Sequence, residues 1–151
     1  MLISEAMNTK LDPFSDAQSG PIPHNAQVPS DEDTKVDGET FTMNNDNSTT
    51  ILFDPVIKKG VMRFGVLSIE DLKAVGIADE SVKYGRDENP EDKGWEKIVK
   101  YEYNFGWIEH KDKLIEGNAK FDDGDRVALE LNMDSTPRTL TFFKNDEEQM
   151  N

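Results

Sequence analysis

Reactive residue types are sparse in this chain of 151 residues: two histidines, no cysteine, and 31 Asp and Glu. His24 stands in a proline-rich stretch and His110 in the turn-like Glu109-His110-Lys111-Asp112. No serine occupies a G-x-S-x-G setting, so a nucleophile with its base is not assembled locally. Neither G-x-x-x-x-G-K-[ST] nor G-x-G-x-x-G occurs, and phosphate cradling lacks its loop. Glycoside hydrolysis needs two carboxyl groups about 5–10 Å apart across a cleft, one of them with a raised pKa. Carboxylate pairs are unavoidable in so acidic a chain, and Glu130, Asn132 and Asp134 read as the solvated face of a strand. The expectation is a protein that is not an enzyme, with no catalytic residues and no cofactor.

Metal binding meets similar obstacles. Asp122-Asp123-Gly124-Asp125 invites a calcium loop, which requires oxygen ligands at alternate positions and a closing bidentate acid. Val127 falls on a ligand position of that register. In Asp33 to Asn44, Asp37-Gly38 is well placed, but Lys35 replaces a ligand and Asn44 replaces the closing Glu. No metal is expected, and Gly124 reads as a tight turn entering a strand. Asn47-Ser48-Thr49 matches a glycosylation sequon, and Ser30-Asp31-Glu32-Asp33 resembles an acid-directed phosphorylation site. Recognition is the richer reading. Tyr84, Arg86 and Trp95 flank a charged connection from Gly85 to Gly94, and these residue types dominate binding hot spots. They are the expected protein-binding residues.

Seventeen Lys and Arg leave a net charge of −14. That balance argues against nucleic acid, whose phosphates need a concentrated positive surface, and against anionic membrane surfaces. No run of about 20 apolar residues and no secretory signal is visible. With zero cysteines, the chain is expected to be cytoplasmic.

Two halves differ in character. Residues 1–50 hold nine acids, two bases and four of the seven prolines, with only Phe14 and Phe41 as aromatics. So little apolar surface does not offset about 1–2 kcal/mol of backbone entropy per residue, so 1–40 is expected to be a disordered acidic tail. The folded domain is placed at 41–151. Strand signals begin at Phe41-Thr42-Met43 and continue through Ile51-Leu52-Phe53, Val61 to Ile69 and Gly76-Ile77-Ala78. Ile98 to Ile108 and Val127 to Met133 alternate with period two, and Thr139 to Lys144 follows as a hairpin partner. Ile69 to Val75 is the one helix-like piece. Tyr101, Tyr103, Phe105, Trp107, Phe121, Phe142 and Phe143 are expected chiefly in the core. Short strands separated by turns about every 8–12 residues point to an all-β fold, a β-sandwich or barrel.

Several short motifs, in order, resemble a SPRY domain over roughly residues 40–149. They are Asp54-Pro55-Val56-Ile57, Gly60-Val61-Met62-Arg63-Phe64, Gly76-Ile77-Ala78-Asp79, Gly117-Asn118-Ala119-Lys120-Phe121, Gly124-Asp125-Arg126-Val127, Leu129 to Asp134, and the hairpin Arg138 to Asn145 with its paired Phe. The resemblance implies an all-β, antiparallel β-sandwich of the concanavalin A-like kind and a non-catalytic interaction module that binds a partner peptide or surface through loops at the sandwich edge. It also implies that Tyr84 contributes to a peptide pocket and that Trp95 packs inward. Gly65 departs from the family pattern and raises the expectation of a looser or bulged strand. Family members continue beyond the Phe-Phe-x-Asn hairpin, so the sandwich is expected to lack its last strands, leaving an open edge suited to strand-mediated self-association. The competing reading is a lectin-like, carbohydrate-binding sandwich.

Overall fold

The computed structural model describes residues 22–150 in full and, for residues 2–12, the backbone pairing of one strand. Twelve strands follow in chain order: β1 (Leu2–Asp12), β2 (Asn25–Gln27), β3 (Thr34–Asp37), β4 (Thr40–Met43), β5 (Thr50–Asp54), β6 (Val61–Ala78), β7 (Ile98–Glu102), β8 (Ile108–His110), β9 (Lys113–Ile115), β10 (Arg126–Asn132), β11 (Thr139–Lys144) and β12 (Glu147–Glu148). Every pairing is antiparallel. Pro90–Lys93 and Trp95–Lys97 form short 3-10 turns, and no α-helix occurs among the described residues.

Two layers arise because β6 and β1 each serve both. The first half of β6 pairs with β10 from Val61 to Leu67, and its second half pairs with β7 from Ala74 to Ala78. Along the other edge of β6 runs β1, whose register slips twice, between Glu5 and Ala6 and between Asn8 and Thr9. Such slips are β-bulges, which bend a strand and sharpen its twist. Asp71 lies between them with φ of 56°. One layer therefore reads β12-β11-β10-β6-β1-β4-β3, and the other adds β9-β8-β7 and β5-β2 to the remaining halves of β6 and β1.

Aromatic rings close the space between the layers. Phe53 of β5 meets Phe41 of β4 at 5.6 Å and Phe64 of β6 at 5.2 Å. Tyr101 of β7 meets Phe142 of β11 at 5.4 Å and Phe121 at 5.2 Å. Val66, Val75, Val127 and Leu129 fill in between, all fully buried. Burial pushes the Tyr101 phenol up to about 12, helped by the negative charge of Asp125. Its hydroxyl donates to the Ala119 carbonyl, which satisfies the one polar atom of that ring.

Three expectations are corrected. The stretch 1–40 is not a tail throughout: β2 pairs with β5, β3 pairs with β4, and β1 lies between β6 and the strands β4 and β5. The low apolar content misled because short strands borrow their stability from a neighbouring sheet; residues 13–21 lie outside the described residues. The helix-like Ile69 to Val75 is the bent middle of β6, where extra residues at the bulges break the period of two. The strand that carries Gly65 is bulged as expected, but near Asp71 and not at Gly65, which pairs in register with Ala128 on one side and Asp12 on the other. Of the expected core aromatics, Phe105 is 48% exposed and stacks on Trp107 at 4.3 Å.

Gly76 marks the tightest approach of two strands. A Cβ built there falls 2.0 Å from the Val99 carbonyl oxygen and 2.9 Å from the Lys100 Cα, both backbone atoms that cannot swing aside. Gly76→Ala is expected to destabilise the fold by about 1–3 kcal/mol, the usual cost of overpacking. Chemical denaturation of the two proteins checks this, and equal midpoints would contradict the approach of β6 and β7.

Candidate functional site

The connection after β6 begins with Asp79-Glu80-Ser81, where the Asp79 carboxylate accepts the Ser81 N–H at 2.9 Å. A hydrogen bond from the Ser81 hydroxyl, then that N–H bond, lowers the Asp79 pKa. Val82 then packs under Leu52, Ala78 and Ile98, with Tyr84 against the same cluster. The Tyr84 hydroxyl donates to the Pro90 carbonyl at 2.7 Å and thereby spans the loop it opens. Inside the loop the Glu88 carboxylate accepts the Gly85 N–H and the Lys93 ammonium, at 2.5 and 2.7 Å, and both contacts lower its pKa. Asp92 accepts the Asn89 N–H at 2.7 Å, fixing the first 3-10 turn.

Arg86 leaves this loop to reach the segment before β3. Its Nε and Nη2 both donate to Asp33 at 2.8 Å, and Nη1 donates to Glu32 at 2.8 Å. Asp33 is only 2% exposed and also accepts Asn45 at 2.8 Å and Asn47 at 3.3 Å. Hydrogen bonds from Arg86, then from Asn45, hold the Asp33 carboxyl below its ordinary range, against the cost of burial. The forked guanidinium matches the two carboxylate oxygens, the strongest geometry for such a pair. Trp95 is 39% exposed and lies over Lys100, whose ammonium is 5.1 Å from the ring and 3.0 and 3.4 Å from Glu91 and Glu109.

Each of the three expected contact residues thus has an internal partner. Tyr84 ties its own loop, Arg86 clamps that loop to Asp33, and Trp95 covers Lys100 while keeping an open face. None of them lines the concavity between the two layers.

That concavity, about 820 Å³, opens between the two layers. Ile77, Val99, Ile108 and Ile115 of one layer form one wall, and Leu131, Leu140 and Phe142 of the other face them. Lys58, Lys113 and Arg138 stand on its rim with Asp79 and Glu80, and His110 is held by a 2.6 Å contact from Nδ1 to the Ile98 carbonyl oxygen. Sequence reasoning missed this groove. Its only signal was the expected open edge, since residues at both walls read simply as core.

No group of three or more His, Cys, Asp or Glu side chains able to hold a metal occurs among the described residues. The acidic turn at Asp122 to Asp125 is tied up locally: Asp125 accepts the Asp122 N–H at 2.8 Å, Asn145 at 2.8 Å and Lys144 at 3.1 Å. Comparisons with protein families, with curated proteins and with solved structures return no match.

The Asp33–Arg86 clamp has a pH signature. Because the folded pKa of Asp33 lies below its unfolded value of 3.8, its contribution to stability is present above about pH 5 and is lost as pH falls through the acid range. Arg86→Ala should lower Tm at pH 7 by several degrees and flatten the acid-side fall in Tm. Thermal melts from pH 7 to pH 2.5 check both, and unchanged melts at every pH would remove the clamp from the stability of the fold.

Proposed function

We propose that this protein is a non-catalytic interaction module that binds a partner peptide or surface at the open end of its sandwich, as the SPRY resemblance implies. The observation that carries the reading is the groove: apolar walls from two layers, about 820 Å³ in volume, with a polar and partly cationic rim. Concave apolar sites with a few convergent polar groups are where binding is expected by default. The neighbouring connection supports it as a rigid flank. Tyr84 and Arg86 fix that connection in place, and the open face of Trp95 is offered as an additional contact.

A peptide library displayed against the full chain tests this, with the double variant Lys113→Glu/Arg138→Glu as counter-screen. Both residues are exposed, so the charge reversal is expected to leave the fold intact. Enriched sequences should bind the double variant about tenfold more weakly or worse. Sequences that bind both proteins equally would move the site away from the groove. The lectin-like reading has its own observation, the exposed Phe105 stacked on Trp107, a platform on which a sugar ring can lie. Competable binding on a glycan array, with no enriched peptide, would replace the module reading with that one.

A further inference from the structure

The groove is polarised along the strands that build it. In the β8–β9 hairpin Ile108 pairs with Ile115 and His110 with Lys113, so these four side chains share one face, and all four line the groove. On the opposite wall Leu131 pairs with Leu140, and one step further in Leu129 pairs with Phe142. Inward the groove ends on Phe142 and Ile108, 1% and 5% exposed. Outward it ends where strands end. Lys58 follows β5, Glu80 follows β6, His110 and Lys113 flank the turn between β8 and β9, and Arg138 precedes β11. A polar rung therefore stands at the mouth, with an apolar rung about 7 Å below it by the rise of two residues.

Within the polar rung His110 is the informative residue. Its Nδ1 lies 2.6 Å from the Ile98 carbonyl oxygen, which can only accept, so Nδ1 holds the proton of the neutral ring. Nε2 is then a bare acceptor, and no described residue donates to it. Directly across the hairpin, Lys113 is a donor with no partner among the described residues. By contrast Lys58 is 3.4 Å from Glu80, and Asp79 accepts the Ser81 N–H. A lone acceptor beside a lone donor complements one extended residue, whose N–H and C=O point to the same side. A hydrocarbon leaves both groups unmatched, and a carboxylate has no proton for Nε2. An alcohol brings one oxygen to two groups that stand on neighbouring strands.

Resting on the interaction-module reading above, we propose that the groove takes one large apolar side chain of a partner peptide, inserted end-on, with the peptide main chain crossing the mouth. The side chain reaches the rung of Ile108, Ile115 and Leu140 and is the anchor of the contact. The N–H of that same residue donates to His110 Nε2, and its C=O accepts from Lys113. His110 is thus a second determinant of the site, reading the partner's backbone where the walls read its side chain.

The probe is the acetylated, amidated peptide Gly-Ser-Phe-Ser-Gly, titrated to millimolar concentration into the full chain labelled with ¹⁵N in its histidine rings. One counterpart carries Ala for Phe and another carries N-methyl-Phe. The Phe peptide is expected to move the Nε2 resonance of His110 and to leave Nδ1 in place; the Ala peptide should move neither. N-methylation should weaken binding by about fivefold, the usual worth of one hydrogen bond. His110→Asn removes Nε2 and keeps a side-chain N–H for the Ile98 carbonyl. On that variant the Phe and N-methyl-Phe peptides should bind alike. Equal binding of these two by the native chain would overturn the backbone contact, whether or not the variant folds. Failure of the Phe peptide, with library sequences still lost on Lys113→Glu/Arg138→Glu, would overturn the single anchor alone. Failure of both would take the module reading with it. A shift of Nε2 by decan-1-ol and by no peptide would give the groove to a lipophilic small molecule, and a shift that grows with protein concentration alone would give it to a second copy. Either result would overturn the proposal.

Discussion

Strand β6 runs 18 residues, about three times an ordinary strand, and it has to belong to two sheets. Twist forbids so long a strand from staying in one flat layer. The register slips against β1 release that twist at one place, near Asp71, and send the two halves of β6 into facing layers. Everything downstream inherits this bend. β10 and β11 grow from the first half, β7, β8 and β9 from the second, and their rings meet across the gap as Tyr101 on Phe142 and Phe53 on Phe64. Toward the last members of the two families, β11 on one side and β8 and β9 on the other, the gap is left open as the groove.

Charge is managed locally in this acidic protein. Buried or half-buried ionisable groups carry specific partners: Asp33 with Arg86 and two asparagines, and Lys100 with Glu91, Glu109 and the Trp95 ring. An isolated buried charge is far costlier than a paired one, which is why these side chains converge rather than scatter. The clamp also ties segments 53 residues apart, joining the long connection after β6 to the start of β3. A recognition loop and a structural strap call for the same residue types, Tyr, Arg and Trp. Here their internal hydrogen bonds and contacts account for most of their polar groups.

Much of the fold was legible in local sequence. Period-two alternation marks β7 and β10, and the hairpin partner of β10 falls at Thr139–Lys144 as expected. The all-β class followed from these signals because alternation and turn chemistry are properties of a few adjacent residues. The strands β1, β2 and β3 were not legible. β2 and β3 hold little apolar surface, and β1 and β2 pair with strands far away in the chain. The middle of β6 was misread as helix-like for a related reason: bulges insert residues that shift the apolar spacing away from two.

The candidate site divides the same way. Residue types on the connection from Tyr84 to Trp95 advertised recognition, and composition alone disfavoured nucleic acid, thiol chemistry and anionic membranes. Only the tertiary structure decided that Arg86 faces a buried Asp33, that Tyr84 closes its own loop, and that Leu140 and Ile115 look at each other across an open trough. Spacing along a chain specifies which side of a strand a residue occupies. It does not specify what stands opposite, because that depends on how a bent strand folds one layer over the other.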